Sequence, residues 1–183
     1  MSDFAWGKKD TEFFYALTPE RILDAVEAST GLRCTGRTMA LNSMENRVYE
    51  IEIELDEKPK NPADAFVIAK FYRPGRWSLE QIQAEHTFLS DLVEVEIPAC
   101  AATPFTDGKT IHKLEDVGIY YTVFPKIRGR SPYELTNTDL QIVGRLLGRM
   151  HNCGAAGKAD SRVKLDPQTY GIQNLKYLID SKS

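Results

Sequence analysis

The sequence is poor in cysteine, and its few cysteines lie far apart. Among 183 residues only Cys34, Cys100 and Cys153 are cysteines, and no two of them form a C-x-x-C pair. An odd and scattered set argues against both a disulfide framework and a zinc site. We therefore predict that the three thiols are small buried side chains in a reducing compartment, the cytoplasm.

Long apolar runs and an excess of positive charge are missing as well. No stretch approaches the roughly 20 apolar residues of a membrane-spanning helix, and the N-terminal residues MSDFAWGKKDTEFF lack the apolar core of a signal peptide. The 23 basic residues are outnumbered by 26 acidic ones, which gives a net charge of −3. Without a basic field we expect no nucleic-acid partner, and we expect no membrane partner either.

What the sequence does contain is the composition of an ordinary globular protein, with 42% hydrophobic residues. A helix is predicted from Pro19 to Ser29, because Thr18 can cap it and Gly31 follows its end. Strand patterns come next, at residues 33–41, 47–55, 66–74, 110–114 and 118–124. A helix at residues 77–93, opened by a capping box, interrupts them after the third strand. This order predicts an α+β lobe built on an antiparallel sheet, with the acidic face of the second strand in water.

The pattern changes after Pro125, where we place a domain boundary. Residues 138–154 predict a second long helix, with Thr138 and Gln141 as its capping box and Gly154 as its stop. A short helical pattern follows from Gln173 to Ile179. One face of the long helix is apolar along Leu140, Val143, Leu147 and Met150.

One strand, FVIAKFYRP, carries a lysine inside an apolar and aromatic run. On a strand, Lys70 shares one face with Phe66, Ile68 and Tyr72. Lysine is rarely buried without a partner, because an ammonium group is costly to remove from water. Lys70 therefore either meets an anion or lies at an edge, where its side chain extends so that the ammonium stays in water.

The helix that follows offers a matching anion. At about 100° per residue, Glu85 falls among the apolar residues that predict the buried stripe of this helix. Those residues are Ile82, Leu89, Leu92 and Val93. Glu85 could lie at the margin of the stripe, in water, but an ion pair with Lys70 would remove the cost of both charges. We predict that the two residues meet.

These residues stand in phrases that resemble a known family. The runs NSMENRVYEIE, FVIAKFYRPGRWSLEQIQAEHTFLSDLVEVEIPACA, YYTVFPKIRGR and VGRLLGRMH, between about Asn42 and Leu178, are similar to the stress-response kinase A group. This group of Ser/Thr kinases belongs to the aminoglycoside phosphotransferase and choline kinase-like branch of the protein-kinase-like fold. The resemblance implies an ATP-binding small lobe at residues 1–124, a five-stranded antiparallel sheet with one inserted helix. It further implies a hinge at residues 125–130 and the first helices of an incomplete large lobe at residues 131–183.

The resemblance also implies where ATP would bind. Lys70 would hold the α- and β-phosphates, and Glu85 would orient it. The turn with Ser43 and Asn46 would lie over the phosphates, although it lacks the G-x-G-x-x-G glycines and could be an ordinary hairpin turn. Phe124 and Lys126 would belong to the hinge beside the adenine.

A catalytic loop is not found in the sequence. None of the three histidines stands in an H-x-D motif, so the resemblance implies that the catalytic aspartate and the Mg²⁺ ligands lie in a C-terminal lobe outside this chain. We expect the chain alone to be inactive, and its apolar helix face to pack on that lobe or to promote association.

Several functions remain open at this level. The first is the ATP-binding part of a stress-response kinase with a protein phosphoacceptor. A second is the same part of a small-molecule kinase whose acceptor is a small alcohol, of the choline, homoserine or aminoglycoside type. A third is a non-catalytic module that binds a nucleotide or a protein, and a fourth is a buried ion pair without any ligand.

Overall fold

The structure, a computed structural model, describes residues 13–129 and 132–181. Within these residues one antiparallel sheet has the strand order β1-β2-β3-β5-β4. Its strands are β1 (Cys34–Leu41), β2 (Arg47–Ile53), β3 (Phe66–Phe71), β4 (His112–Leu114) and β5 (Ile119–Pro125). The α-helices are α1 (Pro19–Thr30), α2 (Leu79–Glu94), α3 (Asn137–Ala156) and α4 (Gln173–Asp180). Single helical turns lie at Phe13–Ala16, Pro62–Ala65 and Gln168–Ile172. The predicted α+β class, with one helix inserted after the third strand, is confirmed.

Helix α1 begins where the sequence predicts and ends one residue later than predicted, at Thr30. The Thr18 hydroxyl accepts a hydrogen bond from the backbone N–H of Arg21 at 3.3 Å, and Pro19 occupies the first turn. Gly31 ends the helix with a φ of 72°, a left-handed conformation that favours glycine. Helix α2 begins with the predicted capping box, in which Ser78 and Gln81 each bond the backbone of the other.

The two faces of the sheet are covered differently. Helix α1 closes one face over a core of buried side chains, which include Ile22, Val26, Ile51, Ala69, Phe71, Ile119 and Val123. Strand β3 alternates between this core and a second face, where Ile68 and Lys70 are only half-buried. Helix α2 lies over the second face and leaves part of it open. The alternation predicted for the lysine-bearing strand is therefore confirmed.

Helix α3 begins and ends at other residues than predicted. Its N-cap is Thr136, whose partner in the capping box is Asp139, so the prediction of Thr138 and Gln141 is wrong. A carboxylate is favoured over an amide near the positive end of a helix, which explains the choice of Asp139. Gly154 does not stop the helix, which continues to Ala156. A Cβ on Gly154 would lie 3.5 Å from the Phe88 ring of α2, so this glycine permits close helix packing.

The C-terminal helices present exposed apolar side chains. Among the described residues of α3 and α4 none is buried, and about half of the surface of Leu140, Val143 and Leu147 is exposed.

In the described parts of the chain, no helix combines the length and the apolar character that crossing a membrane requires. Residues 1–12, 130, 131, 182 and 183, which include parts of the predicted lobes and hinge, lie outside the described residues.

The three cysteines are less buried than predicted. Cys34, Cys100 and Cys153 are free thiols, and each is half-buried. Burial nevertheless raises the pKa of the Cys34 thiol to about 11, and the nearby carboxylates of Glu27 and Glu54 act in the same direction. At neutral pH this thiol is therefore protonated and a poor nucleophile.

The core beneath the sheet predicts a large difference between two identical substitutions. Ile51 is 0% exposed, whereas Ile127 is 64% exposed. We expect Ile51→Ala to lower the free energy of unfolding by about 2–5 kcal/mol, because it removes packed methyl groups and leaves a cavity. Ile127→Ala should change it by no more than about 0.5 kcal/mol. Urea unfolding measures both values, and similar losses in the two variants would contradict the assigned core.

Candidate functional site

Lys70 and Glu85 meet at the open face of the sheet. The Nζ atom of Lys70 lies 3.1 Å from Oε1 of Glu85, and their side chains are 21% and 33% exposed. Lys70 projects from β3 between Val48 of β2 and Thr122 of β5, and Glu85 descends from α2. The ion pair predicted from the sequence is present, and both of its side chains are partly exposed to water. Water beside the pair keeps its desolvation cost low and weakens its attraction.

The ammonium of Lys70 has a second neighbour, the ring of Tyr72. Lys70 Nζ lies 4.5 Å from the ring centroid, close enough for a cation–π contact. Lys70 is thus held by an anion and by the π face of an aromatic ring. Both neighbours restrict where the ammonium can go.

Beside the pair lies a hydrogen-bond network formed by the buried Tyr72 and His86 and the half-buried Thr110. His86 is 4% exposed. Its Nε2 atom is 3.0 Å from the Tyr72 hydroxyl, and its Nδ1 atom is 2.7 Å from the Thr110 hydroxyl. The edge of the His86 ring also faces Phe124, with the ring centroids 6.0 Å apart. Phe124, predicted as a hinge residue, therefore packs beneath α2 at the end of β5.

Burial lowers the pKa of His86. The charge of Glu85 opposes this shift, and the charge of Lys70 adds to it. The neutral imidazole has one donor and one acceptor nitrogen, which suits one hydroxyl on each side. Sequence reasoning missed His86, although its place four residues after Ile82 in the helical stripe was a signal. Val93, which was predicted to belong to the stripe, is 47% exposed instead.

The turn between β1 and β2 is tied to the segment after β3. The Ser43 hydroxyl accepts a hydrogen bond from the backbone N–H of Asn46 at 3.3 Å. The Asn46 side chain accepts one from the N–H of Arg73 at 3.2 Å, and Glu45 pairs with Arg76 at 3.1 Å. Because Arg47 is level with Phe71 in the sheet, the turn ends beside the residue that follows Lys70.

Lys126 is bound on the same face of the sheet by a residue that sequence reasoning missed. Its Nζ atom lies 2.8 Å from Oε2 of Glu50, and 4.2 Å from the centroid of the Phe66 ring. The Glu50 side chain is only 14% exposed, so the prediction that the acidic face of β2 is in water is wrong at this position. The signal was period-2 spacing, which puts Glu50 on the face of Val48 and Lys70.

A buried hydroxyl and a cavity are the remaining features of the site. The Thr122 hydroxyl, opposite Lys70 across β3 and β5, is buried and has no hydrogen-bond partner among the described residues. A cavity of about 400 Å³ separates α2 from the segment after α3, and Glu85, Asp91, Lys158 and Arg162 contribute to its wall. Across residues 13–129 and 132–181, no three His, Cys, Asp or Glu side chains are grouped so as to hold a metal ion.

Two arginines fasten helix α2 to the C-terminal part of the chain. Arg149 of α3 donates to the backbone carbonyls of Val95 and Glu96 at 2.9 and 3.2 Å, just beyond the end of α2. Arg162 donates to the carbonyl of Gln81 at 3.1 Å, in the first turn of α2. The helix that carries Glu85 is therefore tied at both ends.

Comparison with protein families finds one match that covers most of the chain. The model of a family described as the phosphotransferase enzyme family matches residues 40–180. Stress response kinase A of Escherichia coli K12 is 42% identical over 169 residues, which are 92% of this chain and 48% of the relative. The serine/threonine protein kinase RdoA of Salmonella typhimurium is 42% identical over 142 residues, 77% of this chain and 39% of the relative. The chain thus spans about half the length of these curated relatives, or less.

Solved structures share the fold at lower identity. Amicoumacin kinase hAmiN, solved in complex with AMP-PNP, Ca²⁺ and Ami, has a TM-score of 0.64 and 22% identity, over 84% of this chain and 44% of that protein. A microcompartment-associated aminopropanol kinase has a TM-score of 0.58 and 19% identity, over 80% of this chain and 45% of that protein. This likeness confirms the predicted fold over part of those kinases.

The buried imidazole predicts how stability depends on pH. Because the pKa of His86 is lowered in the folded state, the unfolded chain binds a proton there below about pH 6.5 that the folded chain does not bind. We expect the free energy of unfolding to fall as the pH drops below this value. His86→Gln, which keeps a donor and an acceptor but does not titrate, should lose part of this pH dependence.

Urea unfolding of both proteins between about pH 5 and pH 8 measures the effect. His151→Gln is the matched control, because His151 is exposed on α3, and this variant should keep the dependence of the wild type. The same pH dependence in the wild type and in His86→Gln would contradict the assignment of a neutral buried histidine.

Proposed function

Since this chain belongs to the phosphotransferase enzyme family, we propose that it supplies the ATP-binding part of a stress-response Ser/Thr protein kinase. Membership of a kinase family implies the use of ATP. The 42% identity to stress response kinase A supports this choice within the family. The observation that carries the proposal is the ammonium of Lys70, 3.1 Å from Glu85 at the open face of β3.

The proposed role of Lys70 is to bind the α- and β-phosphates. An ammonium has three N–H donors, and the contact with Glu85 occupies one of them. The other donors remain for phosphate oxygens. Since Glu85 and the Tyr72 ring already hold the cation in place, little reorganisation is needed when the phosphates arrive, which is the electrostatic advantage of a preorganised site.

The remaining predicted ATP residues would act mainly through the backbone. The Asn46 side chain is bonded to Arg73, so its proposed role is to hold the turn over the phosphates while the Ser43 hydroxyl and the backbone N–H groups bind them. The Lys126 ammonium is bonded to Glu50, so the hinge would meet adenine with its backbone groups. Phe124 would pack beside the ring.

The chemistry of transfer is proposed to need residues outside this chain. Mg²⁺ neutralises charge on the transferring phosphate when it is bound, but the described residues offer it no cluster of carboxylates. We therefore place its ligands and the catalytic aspartate in a C-terminal lobe, and propose that the chain alone is inactive. In the same division, residues 1–124 form the ATP-binding lobe, 125–130 the hinge and 131–183 the start of the second lobe.

A small-molecule kinase is the second candidate. The two kinases compared above are named for small molecules, amicoumacin and aminopropanol. Their identities of 22% and 19% are well below the 42% found for stress response kinase A. The protein kinase is therefore the stronger candidate.

Nucleotide binding is tested by thermal unfolding with MgATP. A ligand at about 100 times its Kd stabilises the folded state by about 2.7 kcal/mol, which raises Tm by about 5–10 °C for a chain of this size. We expect such a shift for the wild type and little or none for Lys70→Ala. Lys113→Ala is the matched control, because Lys113 is also a strand lysine, paired with Glu115 at 3.0 Å. Equal shifts in the wild type and in Lys70→Ala would contradict the site.

Phosphotransfer from labelled ATP tests the activity and the acceptor class. The 183-residue chain should transfer phosphate to neither proteins nor small alcohols above the level of Lys70→Ala. When it is continued by the C-terminal half of a curated relative, we expect transfer to protein. Transfer by the chain alone would disprove its inactivity, and transfer only to small alcohols would favour the second candidate.

A further inference from the structure

We propose that Tyr72 is a positioning residue for Lys70 and that the hydrogen-bond network of Tyr72, His86 and Thr110 holds it in place. This inference rests on the proposed function in one respect, since Lys70 is the residue that would meet the phosphates. The network itself is a property of the folded chain without a nucleotide. It links the residue that follows β3, helix α2 and the segment before β4 beside the ion pair.

The network touches both halves of the ion pair through their neighbours in sequence. Tyr72 follows Lys70 by two residues on the same face of the strand, and His86 follows Glu85 directly in α2. The backbone N–H of Tyr72 also bonds the carbonyl of Tyr120 at 2.8 Å, which fixes the residue against β5. Any movement of α2 that separates Glu85 from Lys70 would therefore also pull His86 away from Tyr72.

The buried bonds constrain the geometry more strongly than the ion pair does. Tyr72 and His86 are 2% and 4% exposed, so a broken hydrogen bond between them would leave polar atoms without water. The ion pair is partly exposed, and water can replace either partner. Tyrosine and histidine also have two rotatable side-chain bonds each, fewer than lysine or glutamate. The separation of β3 and α2 is thus set by the network, and the ion pair forms within it.

The ring of Tyr72 then restricts Lys70 without occupying its donors. The ammonium lies 4.5 Å from the ring centroid, so the π face attracts the charge and needs no N–H. Glu85 takes one N–H at 3.1 Å. The bond to His86 fixes the orientation of the ring, and the ring in turn limits the positions open to the ammonium. Lys70 is in this way oriented with donors left for an anion.

The test measures how fast Lys70 reacts with an amine acylating reagent, by mass spectrometry, in the folded protein without nucleotide. The rate is expressed relative to Lys113, which is paired with Glu115 and lies 5.7 Å from the Tyr120 ring. We expect Tyr72→Leu to raise the relative rate about two- to five-fold, the factor that corresponds to a lost cation–π contact. Tyr72→Phe and His86→Leu, which each remove the hydrogen bond between positions 72 and 86 and leave the ring at position 72 unanchored, should raise it by a smaller factor.

Tyr121→Phe is the matched control. Tyr121 is 5% exposed, and its hydroxyl donates to the carbonyl of Ala25 at 3.2 Å on the opposite face of the sheet. Its loss costs a similar buried hydrogen bond but should leave the Lys70 rate unchanged. A rate that is unchanged in all three network variants while they remain folded, or equally raised in Tyr121→Phe, would overturn the proposal.

Adding MgATP separates this inference from the proposed function. Protection of Lys70 by MgATP in the wild type would support nucleotide binding, and lack of protection would count against it. In either case the rates without nucleotide decide whether Tyr72 positions Lys70. A network that positions the lysine for an anion should also make protection weaker in Tyr72→Leu than in Tyr121→Phe.

Discussion

The ion pair between Lys70 and Glu85 determines how β3 and α2 are arranged in the site. Lys70 leaves the sheet on a partly buried face, and its ammonium needs a counter-charge. Glu85 supplies that charge only if α2 lies across β3 at one height and with one face turned down. Helix α1 closes the other face over a mainly apolar core. The sheet therefore has one sealed side that provides stability and one partly open side that can meet a ligand.

The fold was predictable because its signals are local. Capping residues, glycines and two periodicities identified α1, α2 and the strands, and the ion pair followed from two charges at apolar positions of adjacent elements. Thr136 and Thr138 show where local reasoning stops, since both begin an acceptable capping box and only the charge of Asp139 separates them. The roles of Ser43, Asn46, Phe124 and Lys126 came from family resemblance and remain proposals.

The contacts that sequence reasoning missed are those between distant elements. Glu50 meets Lys126 only because β3 lies between β2 and β5, an arrangement that no local pattern encodes. His86 stands in no H-x-D motif and was given no role, because its partners come from the segments that follow β3 and precede β4. A charged or polar residue in a helical stripe predicts that a partner exists, but the identity of that partner requires the sheet order.

The way in which Arg149 and Arg162 reach α2 has an evolutionary consequence. All three of their bonds end on main-chain oxygens, of Val95, Glu96 and Gln81. Every amino acid carries that oxygen, so the acceptor positions are free to change their side chains without loss of the attachment. At these three positions sequence change is thereby uncoupled from the attachment, which depends on the two guanidinium groups.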